Sequence, residues 1–137
     1  MSNMRRNLPT VQKGHGDMDE LLGRIAANVG ISRPVAEKAV GIILDFLARE
    51  GPPETVRELT GRLPGSEAAI EAARAEAGPL GGFGGIMGVG SRLMGAGLSM
   101  PEIQGVTREI IAYAREQVGE EAVGRFVEAI PALRQFI

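Results

Sequence analysis

An all-α fold of two helical repeats, related by an approximate twofold and packed around a central Gly-rich segment, is predicted by three observations. Apolar residues recur at helical spacing between proline and glycine stops along most of the chain. A shift of 67 positions lays the second half on the first. Between the halves, Ala77 to Met100 reads AGPLGGFGGIMGVGSRLMGAGLSM, nearly uncharged and rich in glycine.

Asp17 followed by Glu20 is a capping-box-like start with a carboxylate in place of the usual hydroxyl, and Leu21, Leu22, Ile25 and Ala26 follow at helical spacing. This predicts a helix from Met18 to Asn28, closed at Val29-Gly30 because glycine takes the left-handed conformation without steric cost. Ser32 is the expected cap of a second helix with Pro34 in its first turn, where no hydrogen bond is lost. Val35, Ala39, Ile42, Ile43, Phe46 and Leu47 form its apolar face, and Glu37, Lys38, Asp45 and Arg49 are assigned to the outer faces. Gly51-Pro52-Pro53 stops it.

Pro53-Glu54 opens a third helix, with Val56, Leu59 and Leu63 expected inward and a stop at Leu63-Pro64-Gly65, since proline cannot continue the hydrogen-bond ladder. Ser66 is the expected cap of a fourth, alanine-rich helix from Glu67 to Ala77, with a Glu71/Arg74 pair on its exposed face.

Under the 67-residue shift, Gly97-Leu98-Ser99-Met100-Pro101 falls on Gly30-Ile31-Ser32-Arg33-Pro34, and Ile110-Ile111 falls on Ile43-Leu44. Tyr113 falls on Phe46, Glu121 on Glu54, Val123 on Val56, Phe126 on Leu59, and Ile130-Pro131 on Leu63-Pro64. Cap serine, first-turn proline, apolar face and terminal proline all stay in register, the mark of an internal repeat. The expected organisation is a disordered N-terminal arm over 1–17 and one helical domain over 18–137. Within it, repeat one is 18–77, the Gly-rich centre 78–97 and repeat two 97–137.

Six of the ten residues from Gly81 to Gly90 are glycine, a poor composition for an isolated helix because each costs about 1 kcal/mol relative to alanine. Close packing by neighbours would rationalise it. Glycines four apart, Gly81/Gly85 and Gly84/Gly88, would admit another helix, while Phe83, Ile86, Met87, Val89, Leu93 and Met94 supply apolar surface. These residues, Val89 apart, are the candidate packing or interaction site. Three readings of the stretch stay open: an internal element around which the repeats pack, a surface for self-association or a partner served by adaptable Met87, Met94 and Met100, and a membrane insertion. The last has least behind it, because the uncharged run from Ala77 to Ser91 falls short of the roughly 20 residues a span needs.

Composition narrows the function classes. With no cysteine and a single histidine, His15, the chain offers no thiolate, zinc or haem constellation, and no cofactor or metal is expected. No serine has a histidine partner for a triad, and the glycines match neither a dinucleotide fingerprint nor a Walker loop. Glu120-Glu121 reads as a helix start, where negative charge suits the dipole. The chain is therefore expected not to be an enzyme. A net charge of −2, with 15 basic and 17 acidic residues and no basic stripe, disfavours nucleic acid as a partner. The polar N-terminus lacks the apolar run of a secretory signal, which predicts a cytoplasmic protein with membrane contact unexpected.

Met18 to Gly51, MDELLGRIAANVGISRPVAEKAVGIILDFLAREG, resembles the helical hairpin of the HU/IHF family of bacterial DNA-bending proteins. In that family the hairpin chiefly makes the dimer core, so the resemblance implies helix packing; the basic β-arm that follows in the family is absent here. A broader resemblance covers Met18 to Ile137. Gly30-Ile31-Ser32, Leu63-Pro64-Gly65, Gly84-Gly85-Ile86-Met87-Gly88, Gly97-Leu98-Ser99 and Ala129-Ile130-Pro131 look like the bacterial domain-of-unknown-function 2267 and 2780 families and the YidB-like proteins. That resemblance implies a duplicated all-helical fold and brings no activity with it. The expected function is protein–protein association or self-assembly as a homo-oligomer or within a larger assembly. Two alternatives stand beside it: a nucleoid-associated or regulatory DNA-binding protein using Arg5, Arg6 and Lys13 of the arm, and a carrier of a small molecule or lipid.

Overall fold

In the computed structural model, residues 18–77 and 85–136 are described; Asp17, His15 and the rest of the arm lie outside them, as do Gly81, Phe83 and Gly84. The protein is all-α. Seven helices run in order among the described residues: α1 (Met18–Val29), α2 (Arg33–Glu50), α3 (Pro53–Gly61), α4 (Ser66–Ala77), α5 (Gly85–Gly95), α6 (Met100–Val118) and α7 (Glu120–Ala129). A 3-10 helix, Pro131–Phe136, follows them.

Local chemistry sets the helix ends. The Ser32 hydroxyl accepts from the Val35 N–H at 3.4 Å, and Pro34 takes its place in the first turn. Ser99 does the same for α6 with a full capping box: its hydroxyl accepts from the Glu102 N–H, and the Glu102 carboxylate accepts from the Ser99 N–H at 2.9 Å. Both helices are preceded by a glycine with positive φ, +85° at Gly30 and +105° at Gly97, where a side chain would be strained. Helix starts at 18, 33 and 53 recur at 85, 100 and 120, a constant offset of 67.

Helix α2 is the axis of the molecule, packed on by α1, α3, α4, α5 and α6. Every residue from Ala39 to Leu47 is buried. Asp45, assigned from the sequence to an outer face, is therefore inside with no exposed surface. Amphipathic spacing identifies one apolar stripe, but α4 and α5 cover a second side of α2, and Asp45 lies on that side. The expected Glu71/Arg74 pair gives way for the same reason: Arg74 reaches across to Asp45 at 2.7 Å. Ser66 begins α4 rather than preceding it, and its hydroxyl donates to the Thr60 carbonyl at 3.4 Å. On α3, Leu59 is buried as expected, whereas Val56 is only half-buried and Thr55 takes the inward place.

A glycine of α2 brings two helices into close backbone contact, whereas the pairs expected in the Gly-rich centre, Gly81/Gly85 and Gly84/Gly88, each have one member outside the described residues. A Cβ on Gly41 of α2 would stand 2.6 Å from the Ala69 carbonyl oxygen and 3.3 Å from the Ala73 Cβ of α4. Gly90 and Gly95 of α5 face open space. Helix α5 is held instead by Val89 and Leu93, both buried, each contributing about 1.5–3 kcal/mol if fully removed from water.

Candidate functional site

Two of the predicted apolar residues of the centre do not point inward. Met87 is 79% exposed and Met94 55% exposed, while Leu93 between them is buried and Gly88 is half-buried. Gly85 and Ile86 form the first turn of α5. With Met100 they complete a pattern: the exposed large hydrophobic residues among those described are Met87, Met94 and Met100, and all three line one cleft.

This cleft has a volume of about 470 Å³. Ile43 and Phe46 of α2, Val89 and Leu93 of α5, and Ile103 of α6 line it, and Ala132 and Leu133 of the 3-10 helix close one side. Among the described residues no charged side chain lines it, and Ser91 and Thr107 supply the only side-chain hydroxyls of its wall. The Thr107 hydroxyl is already occupied, donating to the Ile103 carbonyl at 2.8 Å. Recognition in this cleft is thus a matter of apolar contact, and unbranched methionines adapt their shape to whatever they meet. The sequence marked Met87, Met94 and Met100 as adaptable. It gave no sign that Phe46, Ile103 and Leu133 would join them, because that requires α2, α6 and the 3-10 helix to converge.

Beside the cleft, Asp45 is a chain neighbour of Phe46, and its partner Arg92 stands between Ser91 and Leu93. The Asp45 Oδ1 accepts from the Nε of Arg49 at 3.1 Å and from the Nε of Arg74 at 2.7 Å; Oδ2 faces Arg92 Nη1 at 3.4 Å. Arg92 also donates to the Ala73 carbonyl at 2.9 Å, so this cluster ties α2, α4 and α5 together. Burial pushes the Asp45 carboxyl upward, but the hydrogen bonds and charges of Arg74 and Arg49 outweigh it and hold the group below its ordinary value of 3.8. A depressed folded value means that the contribution to stability is complete above the unfolded value and is lost as pH falls through the folded one. The difference in unfolding free energy between wild type and Asp45→Asn is accordingly expected to be flat from about pH 5 to pH 7 and to shrink below about pH 4. Urea denaturation of both proteins across that range checks it; a difference that grows on acidification would contradict the assignment.

A second cluster of opposite sign joins α1 to α6. Arg24 pairs with Glu116 at 2.9 Å, lies 3.9 Å from Glu109, and places its guanidinium 5.2 Å from the centre of the Tyr113 ring. The Tyr113 hydroxyl donates to Glu20 at 3.3 Å. The hydrogen bond with Glu116 is the main reason that the Arg24 pKa is raised further.

Among the described residues no three His, Cys, Asp or Glu side chains are grouped to hold a metal ion, and no helix is long and apolar enough to cross a membrane. Comparison with protein-family models, with curated proteins and with solved structures finds no match to this chain.

Proposed function

We propose that this protein works without catalysis, by protein–protein association, and that the methionine-lined cleft is its contact surface, filled by a second copy of the chain. One observation carries the reading: among the described residues, the three exposed large hydrophobic side chains converge on a single cleft lined by no charged group. Charge supports a second copy as the occupant. Near the cleft, three arginines meet one aspartate, and on α1 and α6 one arginine, Arg24, meets Glu20, Glu109 and Glu116, so the side chains named are predominantly positive in the first cluster and predominantly negative in the second. Two copies placed with these faces together match in sign. The reading includes an approximate twofold between the repeats, supported by the recurring helix starts and by the reciprocal packing of α1 on α6 and of α5 on α2.

Light scattering over a concentration series tests the association. The average mass is expected to rise with concentration for the wild type and to stay at the monomer value for a Met87→Lys/Met94→Lys variant, whose exposed positions leave the core untouched. A wild type that is monomeric throughout, or a variant that assembles equally well, overturns the proposal.

A second reading is supported by the size of the cleft. At about 470 Å³ it falls within the range of small-molecule sites, roughly 300–1,000 Å³, and its apolar wall suits an acyl chain or similar ligand. Native mass spectrometry of the purified protein would then reveal a bound apolar compound lost in the double lysine variant.

A further inference from the structure

We propose that Arg49 and Arg74 form an oxyanion-binding site, selective for phosphate-type anions, on the surface where α2, α4 and α5 meet. Asp45 arranges it. Its Oδ1 accepts from the Nε of both arginines, which places the two Nε atoms no more than about 5.8 Å apart, the sum of the two hydrogen-bond lengths. Each guanidinium is thereby fixed through one nitrogen, and its remaining four N–H groups are left over. Among the described residues, neither Arg49 nor Arg74 makes an ion pair or side-chain hydrogen bond with any group other than Asp45. Glu50 and Glu71, close in sequence, form no ion pair with them.

Placement and charge favour a ligand here over a purely internal staple. The aspartate is fully buried, but the side chains of Arg49 and Arg74 are 37% and 47% exposed, so their outer edges face water. The single Asp45 carboxylate is shared between the two exposed guanidiniums, so the Arg49–Arg74 pair keeps a net positive charge that a phosphate anion complements. Arginine's planar fork donates two parallel hydrogen bonds to such an anion, which a diffuse cation does not do. Arg92 is turned inward to Oδ2 and to the Ala73 carbonyl, and acts by adding charge behind the site.

The test uses dilute full-length protein, so that it stands apart from any self-association. Inorganic phosphate is titrated at neutral pH while the arginine Nε–Hε signals are followed by NMR, with sodium chloride at equal ionic strength as control. The expected result is a saturable shift of the Arg49 and Arg74 signals with phosphate and none with chloride. Arg74→Gln is expected to weaken binding roughly tenfold or more, since it removes charge-assisted hydrogen bonds. Arg49→Gln should do the same, and Arg57→Gln on α3 should bind as wild type. A parallel titration with phosphoserine separates the sources: tighter binding of the monoester points to a phosphorylated chain as the ligand, and tighter binding of inorganic phosphate to the free anion. A shift that does not saturate, that chloride reproduces, or that survives in both glutamine variants overturns the site.

Discussion

Replacing Asp45 by alanine is expected to lower the unfolding free energy by about 3 kcal/mol, read as a shift in the urea midpoint followed by circular dichroism. The aspartate is fully buried, and its carboxylate is the counter-charge for three guanidiniums from three helices. Without it, Arg49 and Arg74 can swing into water, but Arg92, only 18% exposed, stays between α5 and α4 and loses its contact with Oδ2. That asymmetry places the effect at the lower end of the range for breaking a buried pair, roughly 3–5 kcal/mol. It is still a large share of the ~5–15 kcal/mol by which a domain of this size is stable. A loss under about 1 kcal/mol would mean that the cluster is solvated and does not hold α4 and α5 to α2.

Gly41→Val is expected to cost a similar amount, about 3 kcal/mol or more, although it removes a glycine from the middle of a helix. On propensity alone any such replacement would gain several tenths of a kcal/mol. The Cβ would meet the Ala69 carbonyl oxygen at 2.6 Å, and a backbone oxygen within α4 cannot rotate away. Helix α4 must therefore shift as a body, which stretches the Arg74–Asp45 contact and the Lys38–Glu76 pair with it. Gly124 on α7 is the control, because nothing lies within 4 Å of the Cβ it would carry. Gly124→Ala is expected to raise stability by roughly 0.5–1 kcal/mol, read from the same denaturation curves. If both substitutions act alike, α2 and α4 are not in backbone contact.

The contrast between these positions shows what the chain discloses before it is folded. Ser32 and Ser99 announce the starts of α2 and α6 because capping is local chemistry, complete within four residues. The stop at Gly51 is legible for the same reason, whereas α3 ends at Gly61, two residues before the Leu63-Pro64 stop that the sequence predicts. Asp45 is not, since its burial depends on α4 and α5 arriving from elsewhere with arginines to meet it. The local rule that pairs Glu71 with Arg74 is worth only a few tenths of a kcal/mol and yields to a carboxylate that would otherwise be buried unpaired. Close helix packing through glycine occurs at Gly41, isolated in an apolar helix opposite the small residues Ala69 and Ala73, a position that glycine density does not mark; of the pairs expected in the centre, Gly81 and Gly84 lie outside the described residues. The spacing that places Leu93 inward also groups Met87 and Met94 as apolar, and only the packed structure separates the buried residue from the two exposed ones.

If one copy of the chain meets another at the methionine-lined cleft, the methionine methyl groups will report it by NMR through a dilution series. Met87, Met94 and Met100 are expected to shift together as concentration rises, with one common dissociation constant, while Met18, buried beneath the turn at Gly65, stays in place. If the three cleft methyls hold constant positions while the average mass rises, the chain associates through another face, and the cleft is not the interface.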